Sequence, residues 1–205
     1  VVYFWKDWLS LFGAAITGRD KEKRRIFWFL VLGSIPAAIT GLLFHDIIEQ
    51  TMRAPVITGI MLIVFAFLLY WADRKKQIRH LDTMTVRDAL IIGIAQAVAL
   101  IPGVSRSGIT MTAARWFAFT REEAARFSFL LSTPVIFGAG LVEMSGVNPA
   151  EINTAFVLGV LVSGFVGLVS ISFLLKFLRT FSFTIFVGYR VILGTVIILL
   201  SVFAR

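Results

Sequence analysis

Long runs of apolar residues without a charge leave this chain few ways to fold. Ile26–Phe44 and Ala54–Ala72 each hold 19 such residues, and Ile152–Leu175 holds 24. Phe127–Val142 is a run of 16 that can be lengthened at either end, and Phe181–Ala204 is apolar except for Arg190. A membrane-crossing helix needs about 20 mostly apolar residues. The five runs therefore read as spans, and the chain as an all-α polytopic membrane protein with one integral membrane domain over 1–205. Gly33, Pro36, Pro134, Gly159 and Gly164 fall inside these runs, where glycine and proline are tolerated and let helices approach closely. Composition excludes the other classes. Charged residues make up 16% of the chain, too few to cover a soluble enzyme, and 20 Phe with 5 Trp are too apolar for a disordered one. There is no cysteine, which removes disulfides, thiol catalysis and Cys-based metal sites.

The net charge is +8, from 20 Lys+Arg against 12 Asp+Glu. On a soluble domain that balance would suggest nucleic acid. Here the basic residues sit between apolar runs, as cytoplasmic loops require, so no nucleic-acid partner is expected and the bilayer is the partner. Val1–Trp5 reads as the tail of an apolar segment already under way.

One apolar stretch, Ala89–Phe119, does not read as a span. Ala89–Ile101 is 13 residues long and runs into the helix-breaking string Pro102-Gly103-Val104-Ser105-Arg106-Ser107-Gly108. A second short run, Ile109–Phe119, follows and contains Arg115. Two half-helices around a broken loop describe a re-entrant hairpin over 89–119. Charge placement agrees. With the hairpin returning to its own side, Arg19–Arg25, Arg74–Arg87, Arg115–Arg126 and Lys176–Arg179 all fall on one face, the cytoplasmic one. The loops His45–Arg53 and Glu143–Asn153 fall outside with one basic residue between them. A full crossing at 89–119 would invert every later assignment.

The layout suggests an inverted-topology repeat, with 1–72 as a partial first repeat, 73–88 as a cytoplasmic linker and 89–205 as the second repeat. Such repeats place a site near the midplane, where broken helices meet.

The residues that can carry chemistry cluster in the hairpin loop. An arginine at membrane depth costs about 2.5–3.5 kcal/mol to insert, so Arg106 needs an anion or water. Gly103 and Gly108 let the backbone turn and expose its N–H groups. Ser105, Ser107 and Thr110 add hydroxyls, and a helix opening at Ile109 would aim its amides into the same space. Together these make a cradle for phosphate oxygens. Gln96 can hydrogen-bond the loop, a ligand or a neighbouring helix. Arg190 can meet a ligand or a buried acid. His45 and His80 lie in different loops without metal-ligand spacing, and Glu122-Glu123 are expected to pair with Arg121 and Arg126. No nucleotide-type phosphate loop occurs. Asp88 is the nearest carboxylate by sequence, so a general base is not evident.

Pro102-Gly103-Val104-Ser105-Arg106-Ser107-Gly108-Ile109-Thr110 resembles the Pro-Gly-x-Ser-Arg-Ser-x-x-Thr signature of the bacterial undecaprenyl-diphosphatases, the bacitracin-resistance family. The similarity extends to Gly41–Asp46, Gln96, Phe127–Leu131 and Tyr189-Arg190. The resemblance implies a multi-pass enzyme of the bacterial inner membrane. Such an enzyme hydrolyses the lipid undecaprenyl diphosphate to the monophosphate and inorganic phosphate, recycling the carrier for cell-wall synthesis. It also implies two re-entrant hairpins, a site facing the outer leaflet, and a divalent cation such as Mg2+. Carried over, Arg106, Ser105 and Thr110 are the expected catalytic residues, and Gly103, Ser107 and Gln96 the substrate-binding ones. Family members carry a first hairpin with Glu-x-x-x-Glu and Pro-x-Ser-Ser-Thr-Gly-His patterns, expected upstream of Val1. Without it the 205 residues are expected to bind the diphosphate weakly and hydrolyse it poorly. A transporter or translocator of an anionic lipid, built on the same cradle, is the alternative, and small residues on long apolar faces permit a homodimer.

Overall fold

The computed structural model describes residues 2–51, 54–147 and 152–203, with backbone alone for 45–51 and 145. The described residues form eight α-helices joined by turns and contain no strand. These are α1 (Trp5–Thr17), α2 (Lys21–Thr51), α3 (Pro55–Asp73), α4 (Val86–Val98), α5 (Arg106–Trp116), α6 (Arg121–Gly146), α7 (Thr154–Thr180) and α8 (Thr184–Phe203). Five of them, α2, α3, α6, α7 and α8, are long and apolar enough to cross a membrane. The protein is an all-α polytopic membrane protein, with α4 and α5 as two short helices around a break.

Local chemistry sets the helix starts. Thr85 and Asp88 form a reciprocal capping box at α4: the Asp88 N–H donates to Thr85 Oγ1 at 3.2 Å, and the Thr85 N–H to Asp88 Oδ2 at 2.9 Å. Thr120 caps α6 and Asn153 caps α7 through side-chain oxygens. Pro55 opens α3 at a position where its missing N–H would be unpaired anyway.

Two expected boundaries move. The outer loop read over His45–Arg53 is helical as far as Thr51, and the one read over Glu143–Asn153 is helical as far as Gly146. Continuing the helix keeps backbone groups paired where the chain leaves the hydrocarbon. Val1, Arg53, the 148–151 segment and Arg205 lie outside the described residues. Helix α1 had no counterpart in the sequence reading. Trp8, Leu11 and Ala14 bury one face of it, while Trp5, Leu9, Phe12 and Ile16 leave the other apolar face exposed.

Close helix crossings rest on glycine pairs. A β-carbon on Gly93 of α4 would stand 2.7 Å from Gly33 Cα of α2. One on Gly59 of α3 would stand 2.8 Å from the Gly194 carbonyl of α8. In lipid, apolar surface gains no water-release energy from packing, so such contacts hold helices through dispersion. Around them Phe29, Leu30, Ile92, Phe119, Phe127 and Leu131 form one buried cluster, and Ala66, Leu69, Met111, Leu178 and Phe183 a second. Helix α7 joins the bundle chiefly near its C-terminal end, where Leu178 is its one buried residue.

The helix ends around the 73–88 segment are tied by charge. Asp73, at the end of α3, accepts from Arg115 Nε at 3.2 Å, from Arg121 Nε at 2.8 Å and from the Phe183 N–H at 3.2 Å. It thereby links α3, α5, α6 and the start of α8. Arg115 is fully buried, and its guanidinium also donates to the carbonyls of Asp73, Lys75 and Phe119. Beside it the linker pairs with the α5–α6 hinge: Ile78 and Arg79 N–H groups donate to the Ala118 carbonyl, and the Thr120 N–H to the Arg79 carbonyl. The expected pairing of Glu122-Glu123 with Arg121 and Arg126 does not occur. Arg121 turns to Asp73, Arg126 meets Asp7 at 2.5 Å, and Glu122 meets Arg179 at 2.6 Å. A buried carboxylate needs a guanidinium far more than an exposed one does.

Candidate active site

The chain breaks between α4 and α5 because two residues there take conformations no helix allows. Gly103 has φ +90°, and a β-carbon on it would lie 3.0 Å from Thr58 Cα and well inside contact distance of the Thr58 carbonyl oxygen. Only glycine lets the loop lie this close to α3. Ser105 has φ 67°, a left-handed value rare for a residue with a β-carbon. It caps α5, its Oγ accepting the Gly108 N–H at 3.3 Å. The amides of Arg106 and Ser107, at the open end of α5, have no protein acceptor among the described residues.

Two guanidiniums flank this helix end. Arg190 of α8 is 6% exposed; its Nη2 donates to the Gly103 and Val104 carbonyls at 2.9 and 2.8 Å, and its Nε to the Leu62 carbonyl at 3.4 Å. A β-carbon on Gly108 would stand 2.5 Å from Arg190 Nη1, so the guanidinium lies against the first turn of α5. Among the described residues no acid pairs with Arg190; its Nε and Nη2 hold α3 and the loop through backbone carbonyls, and the residue lines a cavity shared with Ser105 and Ser107. Arg106 is half-buried, and its guanidinium has no hydrogen-bond or ion-pair partner among the described residues. The N-terminus of α5 thus has the Arg190 guanidinium against its first turn and an unpaired Arg106 at its first residue, with no carboxylate paired to either, which is an environment suited to an anion.

The other expected site residues fall in different places. Ser105 and Ser107 line a cavity of about 250 Å³ together with Gly108, Arg190 and apolar side chains of α3, α5, α7 and α8. Arg106 is outside that lining, on the neighbouring face of the helix end. Thr110 is 1% exposed, and its hydroxyl is engaged with the Arg106 carbonyl at 2.9 Å and with Ser128 Oγ at 2.6 Å. It joins α5 to α6 rather than opening to the cavity. Gln96 is 2% exposed, and neither its Oε1 nor its Nε2 has a partner among the described residues. Ser128 and the carbonyl-binding role of Arg190 went unnoticed in the sequence. A serine inside an apolar run was the signal for the first; nothing in the pattern could name the acceptors of the second.

No group of three or more His, Asp or Glu side chains able to hold a metal occurs among the described residues. The loop offers hydroxyls, amides and guanidiniums, so these residues do not fit the divalent cation that the resemblance implied.

A broken helical hairpin with free amides and an unpaired guanidinium, inside a bundle with five helices able to cross a membrane, places the chain among polytopic helical membrane proteins with a site at a broken helix. The family model described as Bacitracin resistance protein BacA matches residues 1–196. The chain is 50% identical over 200 residues to the undecaprenyl-diphosphatase of Pelotomaculum thermopropionicum, covering 97% of this chain and 76% of that protein. It is 49% identical over 202 residues to the undecaprenyl-diphosphatase of Desulforudis audaxviator, covering 98% and 77%. The like-named protein of Elusimicrobium minutum is 46% identical over 199 residues, covering 97% and 77%. The chain belongs to the BacA bacitracin-resistance family.

Proposed function

We propose that this protein hydrolyses undecaprenyl diphosphate to undecaprenyl phosphate and inorganic phosphate at the loop 102–110. The observation that carries the reading is the unpaired Arg106 guanidinium at the open end of α5, within the apolar bundle. A diphosphate there meets free amides and a positive helix end, and Arg106 neutralises charge gathering on the phosphoryl oxygens as the P–O–P bond breaks. Ser105 and Ser107 donate hydroxyl hydrogen bonds from the same turn. Arg190 and Thr110 act as positioning residues: the first fixes the carbonyls of the loop, the second fixes α5 against Ser128. Gln96, buried without a partner, is assigned to the substrate side of the hairpin on that ground.

We take 1–72 and 89–205 as related units about a 73–88 linker, on the charge and length pattern of the sequence. We place the protein in the bacterial inner membrane, where a recycled lipid carrier is regenerated, and a homodimer is compatible with the exposed apolar faces of α6 and α7. No observation among the described residues favours a translocator.

The test is phosphate release from undecaprenyl diphosphate by purified protein, wild type against Arg106→Ala. Loss of one such charge-stabilising donor is expected to lower kcat by about 100- to 1,000-fold. Unchanged release removes Arg106 from the mechanism.

A further inference from the structure

Four of the five tryptophans are exposed: Trp5, Trp28, Trp71 and Trp116. Each sits where helix ends are tied together. Trp71 stands two residues before the end of α3 and Trp116 closes α5, and those two ends are joined by Asp73 and Arg115. Trp28 lies in the early turns of α2, whose Arg25 donates to the Asp82 carbonyl of the 73–88 segment. Trp5 opens α1, which is joined to α6 by Asp7 and Arg126. Tryptophan collects at the membrane–water boundary, so this tier marks the level of the phospholipid headgroups.

Just after Trp71 come Arg74, Lys75 and Lys76, all exposed and none with a carboxylate partner among the described residues. Instead the Arg74 guanidinium rests over the Tyr70 ring, 4.5 Å from its centroid, and Lys75 Nζ over the Trp116 ring at 5.1 Å. Capping of the α3 C-terminus does not account for these cations. The Asp73 and Lys75 carbonyls already accept from the buried Arg115, and the Asp73 carboxylate is shared by Arg115 and Arg121. The acids of this tier that no arginine or lysine pairs, Glu22, Asp82 and Glu123, line a separate cavity, and its lining holds none of Trp71, Arg74, Lys75 and Trp116. From Trp71 an exposed apolar stripe continues along α3 at helical spacing through Phe67, Val64 and Ile60. A cationic head thus opens onto an apolar track.

We infer that Arg74 and Lys75, between Trp71 and Trp116, bind the phosphodiester of an anionic phospholipid, with one acyl chain lying along Trp71, Phe67, Val64 and Ile60. A guanidinium and an ammonium resting on rings keep N–H groups free for phosphate oxygens. An inorganic anion would leave the stripe uncovered. A zwitterionic lipid would bring its own cation against Arg74 and Lys75. The site is separate from the loop 102–110: Trp116 lies ten residues past Arg106 on α5, about 15 Å along the helix axis. A lipid seated there touches the ends of both α3 and α5, and so clamps the helix that the loop lies against to the helix that the loop opens.

Binding of phosphatidylglycerol to the purified protein in detergent at physiological salt, with phosphatidylcholine as the reference lipid, tests it. Each basic residue at an anionic lipid surface is worth about a fivefold gain in affinity, so Arg74→Gln with Lys75→Gln is expected to weaken phosphatidylglycerol binding about 25-fold. Arg19→Gln with Lys21→Gln removes the same charge from the α1–α2 turn and is expected to leave binding within about twofold, because salt screens exposed charges that do not touch the lipid. An equal loss in both pairs, or none in the first, overturns the site. The second measurement needs no charge variant. Phosphatidylglycerol with acyl chains brominated near the ester is expected to quench tryptophan fluorescence more than brominated phosphatidylcholine does. That excess should vanish in the Trp71→Phe, Trp116→Phe double variant and survive in Trp5→Phe with Trp28→Phe. Excess quenching that follows Trp5 and Trp28 instead, or displacement of the lipid by inorganic phosphate at equal concentration, overturns the proposal.

Discussion

One added methyl group at Gly103 separates the close approach of the loop from mere tolerance. Gly103→Ala carries a β-carbon into a backbone with φ +90°, which costs about 1–2 kcal/mol for an L-residue. The same carbon meets the Thr58 backbone, with its Cα and carbonyl carbon both at 3.0 Å. Thr58 lies in the first turn of α3, its N–H bonded to the Ala54 carbonyl at 3.2 Å, and overpacking against such backbone costs about 1–3 kcal/mol. The sum, about 2–5 kcal/mol, corresponds to a melting temperature lower by about 10 °C in a chain of this length. The alternative relief is for the loop to back off by about 1 Å, which stretches the 2.8 and 2.9 Å bonds from Arg190 past useful length. Either way phosphate release falls. Gly138 gives the matched control: a β-carbon there meets nothing within 4 Å, so Gly138→Ala should gain helix propensity and melt about 2–3 °C higher. Tryptophan fluorescence melts in detergent measure both. If Gly103→Ala melts with the wild type, the loop does not lie against α3 as described.

Asp73→Asn leaves the fully buried Arg115 without its counter-charge, and a stability loss of about 3–5 kcal/mol is expected in the same melts, against under 1 kcal/mol for Glu122→Gln at its exposed pair. Arg190→Met should lower kcat for the diphosphate and raise protease cleavage within 99–105, whereas a direct substrate contact would change KM and leave the cleavage pattern alone. Thr110→Val breaks the hydroxyl pair with Ser128, and the double variant with Ser128→Ala should cost less than the sum of the two single changes. Asp88 sits in the first turn of α4, where the chain enters the hairpin. Its burial acts to raise its pKa, but Arg79 and the Thr85 N–H and hydroxyl outweigh that and hold it below the usual carboxylate value. A lowered carboxylate pKa contributes stability above its unfolded value, and that stability is lost as pH falls through the folded one. The gap in melting temperature between wild type and Asp88→Asn should therefore be full at pH 7 and close below about pH 4; a gap that persists in acid refutes the ion pair.

Much of this fold was legible because lipid makes sequence periodicity unnecessary. A span is recognised by length and lack of charge, so α2, α3, α6, α7 and α8 could be counted from Ile26 onward. The break at Pro102–Gly108 was equally plain, since Gly and Pro next to Ser and Arg cannot continue an apolar helix. What stayed hidden depends on which partner a side chain turns to. Arg115 read as a loop charge and is fully buried, because its acceptor Asp73 lies 42 residues away in sequence. Thr110 read as a member of the cradle and instead faces Ser128, because the signature gives residue order but not helix rotation. Helix α1 went unseen because it is only 13 residues long, with Lys6, Asp7 and Ser10 interrupting its apolar residues, too short and too polar to read as a span.

The Asp73 cluster has a bearing on how the protein enters the membrane. Arg79, Arg115, Arg121 and Arg126 fold into ion pairs with Asp88, Asp73 and Asp7. A chain emerging during synthesis meets the bilayer before α3, α5 and α6 have come together, so those arginines are still hydrated and unpaired. At that stage they are free to retain each segment on the side of the membrane where these helix ends gather. Assembly then consumes the same charges as fasteners. The orientation signal is used first and built into the structure afterwards, so a variant such as Arg121→Ala should be sorted by two readouts that arise at different times. Misorientation reports the early role, and a lowered melt of correctly inserted protein reports the late one.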